Sequence, residues 1–216
     1  MKASAGLAKL ILRRRIKGLF ITGTDTHMGK TFITAHLVRR LQDSGLRAVA
    51  IKPVACGRCG RADAVTYWKL AKKRIPLGTI NPCWFHKPLA PVAQRLKPSI
   101  PLARIRGTLR KLQRQYDMVL VEGAGGLLTP LTWSMSVRDL AESLRLPLLV
   151  IARAGLGTLN HTLLTVEAAR STGLKVLAVI LNDHDGTHAA ATPGNRRVLK
   201  KMLKVPVFVE PYCPPV

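Results

Sequence analysis

Short continuous apolar runs alternate along the chain with stretches that repeat at the helical period. Residues 18–22, 46–52, 117–122, 147–152, 175–182 and 205–209 read as strands. Helical spacing predicts helices over 30–42, 63–73, 102–115, 137–144, 158–172 and 195–203. The proline-rich stretch 76–100 reads as irregular, with a short strand at 81–85 and a short helix at 91–96. This alternation predicts an α/β fold: a single-domain, doubly wound, mainly parallel sheet with helices on both faces. Ligands bind such sheets outside the carboxyl ends of the strands. The informative loops are therefore those after Thr22, Lys52, Glu122, Ala152 and Asn182.

Composition fits one globular domain. The 216 residues are 47% hydrophobic but only 5% aromatic, so Leu, Val, Ile and Ala must fill the core. Charge changes the picture more. Thirty-five Lys+Arg face 11 Asp+Glu, a net charge of +24. Such a surface attracts phosphates, nucleic acids and anionic membranes without selectivity. The charges are scattered and accompany no recognition module, so specific nucleic-acid binding is not expected. Residues 1–17 carry Lys2, Lys9, Arg13, Arg14, Arg15 and Lys17 and no acid, and read as a basic N-terminal extension to a domain spanning 18–216. No apolar run approaches the ~20 residues that cross a bilayer, and a cytoplasmic protein is expected. Four cysteines make no disulfide framework. Cys56 and Cys59 form one C-x-x-C without the second close pair of a zinc site, and a thioredoxin-like motif would sit at a helix start after a strand.

The strongest chemical signal is the loop after the first strand, Gly23-Thr24-Asp25-Thr26-His27-Met28-Gly29-Lys30-Thr31. Its Gly-Lys-Thr end, placed between an apolar strand and an amphipathic helix, matches a phosphate-binding P-loop. Backbone N–H groups there point at phosphates, Gly29 allows close approach, Lys30 reaches the β- and γ-phosphates, and the Thr31 hydroxyl can ligate Mg²⁺. Five residues separate Gly23 from Gly29 in place of the usual four, with Thr24 in the position of the first glycine. Among the few acids, Glu122 ends an apolar strand before Gly123-Ala124-Gly125-Gly126, and Asp63 opens the predicted helix at 63–73. With Thr31 they supply the hard oxygen ligands that Mg²⁺ prefers. For Asp63 a plain helix N-cap is an equal alternative.

The P-loop, Lys52-Pro53-Val54, Val121-Glu122-Gly123-Ala124-Gly125-Gly126 and Asn182-Asp183 occur in the order and spacing of dethiobiotin synthetase, a P-loop NTPase-type family, and the chain resembles it from about Gly18 to Tyr212. Asp63, Asn160-His161 and Pro193-Gly194 also fit. The resemblance implies an ATP-dependent, Mg²⁺-dependent ligase that closes the ureido ring of dethiobiotin from 7,8-diaminopelargonate and CO₂ (or bicarbonate). It implies nucleotide contacts at His27, Met28, Gly29, Lys30, Thr31 and Phe32, at Asp63, at Glu122, Gly123, Ala124 and Gly125, and at Asn182 and Asp183. Asn182 would read the adenine edge. Thr31, Asp63 and Glu122 would hold the metal. Lys52 and Lys30 would be catalytic, offsetting charge on the carbamate and the transferring phosphoryl group. Thr26, Lys52 and Cys56 would meet the substrate. Its carboxylate would rest on the helix start Gly157-Thr158-Leu159-Asn160, a site that a second subunit completes in the family, so a homodimer is implied.

Two positions depart from the family pattern. Cys56 replaces a common Ser, and a thiol is larger and a weaker donor than a hydroxyl. His27 replaces a frequent Glu. Two other functions stand beside the ligase. One is a partition- or septum-type P-loop ATPase acting on DNA or membrane, for which the loop lacks an early lysine. The other is a diverged, non-catalytic ATP-binding protein.

Overall fold

The computed structural model describes residues 2–94, 98–188 and 190–212. In chain order the elements are α1 (Lys2–Arg13), β1 (Gly18–Gly23), α2 (Lys30–Asp43), β2 (Ala48–Ile51), β3 (Val54–Cys56), α3 (Gly57–Leu70), α4 (Leu77–Ile80) and β4 (Cys83–Phe85). They continue with α5 (Pro91–Gln94), α6 (Leu102–Gln115), β5 (Met118–Gly126), β6 (Pro130–Thr132), β7 (Met135–Ser136) and α7 (Val137–Leu144). The remainder is β8 (Leu148–Arg153), α8 (Thr158–Arg170), β9 (Val176–Asn182), α9 (Thr192–Leu203) and β10 (Val207–Glu210). Six strands form one sheet in the order β10-β9-β8-β1-β5-β2, and every neighbouring pair is parallel. The expected doubly wound α/β sheet is what the chain builds. The predicted short helix at 91–96 is helical to Gln94, and its last two residues lie outside the described ones.

The winding positions the site. From β1 the chain steps outward to β2, whereas from β5 it steps the other way to β8. Between β1 and β5 the connections therefore diverge, opening the crevice in which such sheets hold ligands. Along β1 the register runs from Ile21 opposite Glu122 to Gly23 opposite Gly126. Strand β5 thus takes four steps where β1 takes two. A bulge of this kind re-aims a side chain, and here it lies directly after Glu122. Residues 123–126, expected as a loop, instead continue β5 and pair with Gly23.

Right-handed crossovers place the helices. The steps after β5 all run in one direction, so α7, α8 and α9 share a face of the sheet with α6. The opposite face carries α2, over β1, β2 and β5, with α3 packed on α2 and β2. Helix α1 covers the rest, packing on α2 and β10. The residues read as a basic extension are therefore an amphipathic helix whose Ala3, Leu7, Leu10 and Ile11 are buried in the main core. A Cβ on Gly6 would stand 2.7 Å from the Phe208 ring, which shows how closely α1 lies on β10. The Ala3 N–H donates to the buried Glu210 carboxylate at 3.1 Å, satisfying one of the free donors of that helix end.

Two further departures are local. Helix α3 begins at Gly57, six residues before the predicted start, because Gly57 and Gly60 read as loop residues. Asp63 consequently lies inside the helix and is not its N-cap. The amino ends of β2 and β5 are clamped by a bidentate pair, Arg47 Nη2 to Asp117 Oδ1 at 2.8 Å and Arg47 Nε to Asp117 Oδ2 at 3.1 Å. These hydrogen bonds hold the Asp117 carboxyl down at about 2.

Leu7→Ala should destabilise the protein by about 2–5 kcal/mol, as for other fully buried leucines, measured by urea unfolding. Asp117→Asn tests the clamp. A depressed carboxylate contributes stability above its unfolded pKa of about 4. That contribution is lost as pH falls through about 2. The wild type should therefore melt above the variant at pH 5, with the gap closing as the pH approaches 2.

Candidate active site

Strand β1 delivers the P-loop to the crevice, and α2 starts at Lys30 with Gly29 as N-cap in the left-handed region, φ 80°. A Cβ on Gly29 would sit 2.2 Å from Nδ2 of Asn182, so only glycine fits. That amide arrives from the end of β9 and donates to the Met28 carbonyl at 3.0 Å. Asn182 is buried and braces the loop as well as standing beside it. His27 also adopts positive φ, 56°, an uncommon conformation for a residue with a Cβ. No side chain caps α2, which leaves its first-turn N–H groups and positive dipole end for an anion. Lys30 is buried and its Nζ donates to the Asp25 carbonyl at 2.7 Å. Burial pulls its ammonium down to about 8, partly countered by the charge of Glu122.

The centre of the site is Glu122, which is 0% exposed. Its Oε1 accepts from Thr31 Oγ1 at 2.9 Å and from Lys52 Nζ at 2.7 Å. Its Oε2 accepts from the hydroxyl of Tyr67. Lys52 also donates to Asp63 Oδ2, so one ammonium bridges both carboxylates. Burial alone would lower the Lys52 ammonium, but Glu122 and Asp63 outweigh it and hold its pKa above the ordinary value. Burial and the adjacent Glu122 charge push the Tyr67 phenol well up, so Tyr67 stays a neutral donor. The peptide around Lys52 is fixed by Asn81, whose amide donates to the Lys52 carbonyl at 2.8 Å.

The sequence-predicted residues divide into a joined group and a peripheral one. Lys30, Thr31, Lys52, Asp63 and Glu122 converge as described. Cys56 ends β3 and is the N-cap of α3, half-buried, with burial raising its thiol against the pull of nearby Lys52. The Cys56–Cys59 pair thus does stand at a helix start after a strand, with Cys59 exposed. Thr26, His27 and Phe32 lie on the exposed side of the loop, Thr26 held by Asp25 Oδ1 through its N–H at 2.6 Å. Gly123 and Ala124 lie within β5; Gly125 has φ 70°. Asp183 is buried and accepts from the His188 N–H at 3.3 Å. Gly157, at φ 85°, is the N-cap of α8, not Thr158. Thr158 is buried, Leu159 half-buried and Asn160 exposed.

Two residues escaped sequence reading. Tyr67 stands one helical turn after Asp63, on the same face of α3, and that i, i+4 spacing was the available signal. Arg153 ends β8 at the carboxyl edge. With His161, Thr158, Thr24, Asp25 and Met28 it lines a cavity of about 70 Å³ between the P-loop and α8. A cation closing an apolar strand at that edge was its signal.

A P-loop seated at the switch point of a parallel sheet, with a buried acid on the adjacent strand, defines a P-loop nucleotide-binding α/β protein. Residues 17–211 match the family described as AAA domain. The signal recognition particle receptor FtsY of Elizabethkingia anophelis shares the fold, with TM-score 0.59 and 16% identity over 95% of this chain and 63% of that one. Closer in sequence is the ATP-dependent dethiobiotin synthetase BioD of Anaeromyxobacter dehalogenans strain 2CP-1, 42% identical over 93% of this chain and 92% of its own. The BioD of Methanocaldococcus jannaschii is 37% identical over 76% and 78%. The chain belongs to the dethiobiotin synthetase family.

Tyr67→Phe removes the donor from one oxygen of a buried carboxylate. It should cost about 1–3 kcal/mol of stability, read from chemical denaturation.

Proposed function

We propose that this protein catalyses the ATP- and Mg²⁺-dependent closure of 7,8-diaminopelargonate with CO₂ to dethiobiotin, working as a cytoplasmic homodimer. The observation that carries this reading is Lys52 bridging Glu122 and Asp63 within reach of the P-loop threonine. Family membership supports it.

Thr31, Asp63 and Glu122 fit a hard divalent cation, because both carboxylates already hold one positive centre, the Lys52 ammonium, and the Thr31 hydroxyl meets the same Glu122 oxygen. Bound there, Mg²⁺ would neutralise charge on the β- and γ-phosphates of ATP. The chain's own groups do the positioning. Lys30 and the N–H groups of α2 receive the phosphates. Lys52, kept protonated, offsets the negative charge of a carbamate formed from a substrate amine and CO₂, and of the phosphoryl group it attacks. The carbamate oxygen takes the γ-phosphoryl group and ADP leaves; the second amine then attacks the carbonyl of the resulting mixed anhydride, loses a proton and expels phosphate. Cys56 and Thr26 line the substrate side. The N–H groups at the start of α8 suit the substrate carboxylate. Arg153, beside Thr158 in the same small cavity, adds a positive charge there. Exposed Leu156 and Leu164 on and before α8 suit coverage by a second subunit.

Phosphate release from ATP should require diaminopelargonate, bicarbonate and Mg²⁺ together, with dethiobiotin detected by mass spectrometry; ATP hydrolysis without ring-closed product would overturn the proposal. Lys52→Ala should lower turnover by at least about 10²-fold while a fluorescent ATP analogue still binds. Unchanged turnover would remove Lys52 from the mechanism.

A further inference from the structure

The charge of +24 is not spread evenly over the fold. In a parallel sheet all strands start at one edge, and here each of the six is preceded within four residues by an exposed cation. These are Lys17 before β1, Arg47 before β2, Arg114 before β5, Arg145 before β8, Lys175 before β9 and Lys204 before β10. Arg47 is paired with Asp117. The carboxyl edge differs: Asp25, Asp63, Glu122, Asp183, Asp185 and Glu210 all lie on or just beyond it. Six of the 11 acids thus stand at the crevice edge, while a cation precedes every strand at the opposite edge, where the acids are Asp43, Asp117 and Glu142.

A second observation gives this basic end a shaped receptor. A cavity of about 370 Å³ opens between α6 and the end of α7. Arg106, Arg110 and Gln113 line it from one stripe of α6, and Arg145 from the residue after α7. Basic residues in a last helical turn suit the negative dipole end, but Arg106 and Arg110 precede the last turn of α6, so helix-end stabilisation does not account for them. Among the described residues no ion pair engages Arg106, Arg110 or Arg145.

We infer that the amino edge of the sheet, centred on the α6–α7 cavity, binds the phosphate backbone of duplex nucleic acid, independently of the reaction at the P-loop. Charge complementarity selects a polyanion, and Arg guanidinium forks suit phosphate oxygens. Membrane insertion is disfavoured because the apolar face of α1 is buried in the core. Single-strand stacking is disfavoured because the exposed aromatics Phe32, Trp84, Trp133 and Tyr212 lie toward the catalytic end. Binding through phosphates alone carries no base specificity, so the surface would hold nucleic acid without reading it.

Fluorescence anisotropy of a labelled random-sequence duplex, titrated between about 50 and 200 mM salt, tests the inference. The triple variant Arg106→Ala, Arg110→Ala, Arg145→Ala should flatten the log–log salt slope by about one for each phosphate contact removed and weaken binding. The equally charged control Arg58→Ala, Lys87→Ala, Arg197→Ala, away from the α6–α7 cavity, should leave the slope unchanged. ATP with Mg²⁺ should not displace the duplex, and ATP-analogue binding by both triples confirms folded protein. Equal weakening by the two triples would make the attraction diffuse and overturn the inference. So would displacement by ATP, or preferential binding to phosphatidylglycerol vesicles over the duplex.

Discussion

A carboxylate removed completely from water is among the costliest groups a fold can carry unless it is paired and hydrogen-bonded. Glu122 is such a group, and the architecture around it answers that cost from three directions. Thr31 reaches it from the first turn of α2, Lys52 from the end of β2 and Tyr67 from α3. The donors come from two crossovers, Thr31 from the β1–β2 connection and Lys52 and Tyr67 from the β2–β5 connection, so the acid is satisfied only when β1, β2, β5 and α3 have all assembled. The same pairing that makes the interior tolerable keeps Lys52 charged and aimed at the phosphate loop. Stability and chemistry therefore draw on one network.

Topology explains why that network stands where it does. The divergence of connections between β1 and β5 opens the crevice, and the bulge after Ile21 and Glu122 turns β5 away just beyond the acid. Gly29 and Asn182 then bring the end of β9 against the loop. Four strands thus contribute to a site whose signature lies mostly in one loop. The handedness that sets this crevice also decides the far side of the molecule, where helix ends and strand starts gather the basic residues.

Elements with a strong period and clear punctuation were legible in the sequence. Helices α6 and α7 lie at the predicted limits, α7 opened by a capping box in which Ser136 and Asp139 satisfy one another. Lys30, Thr31, Lys52 and Glu122 were legible because sequence alone marks where they stand, the first two at a loop–helix boundary and the others where an apolar strand run ends. The helical start of α3 was hidden by Gly57 and Gly60. Composition reads them as loop, yet Gly60 is where α3 lies against Ala55, a Cβ there falling 3.3 Å from the alanine Cβ. Helix α1 read as a basic extension because its cations dominate the composition, while its buried stripe is made of small and aliphatic residues. Tyr67 could not be assigned a partner from sequence, since its hydroxyl meets Glu122 only through the packing of α3 on the sheet.

The docking of α1 has a consequence for biosynthesis. Its apolar stripe is buried partly against β10, and its Ala3 N–H is bound by a carboxylate 207 residues away. A ribosome must therefore deliver the chain through β10 before α1 can settle. Until then a greasy amphipathic segment waits in the open, and contacts of such sequence separation form slowly. The stripe that ends up in the core is, on the unfinished chain, the kind of exposed apolar segment that chaperones bind.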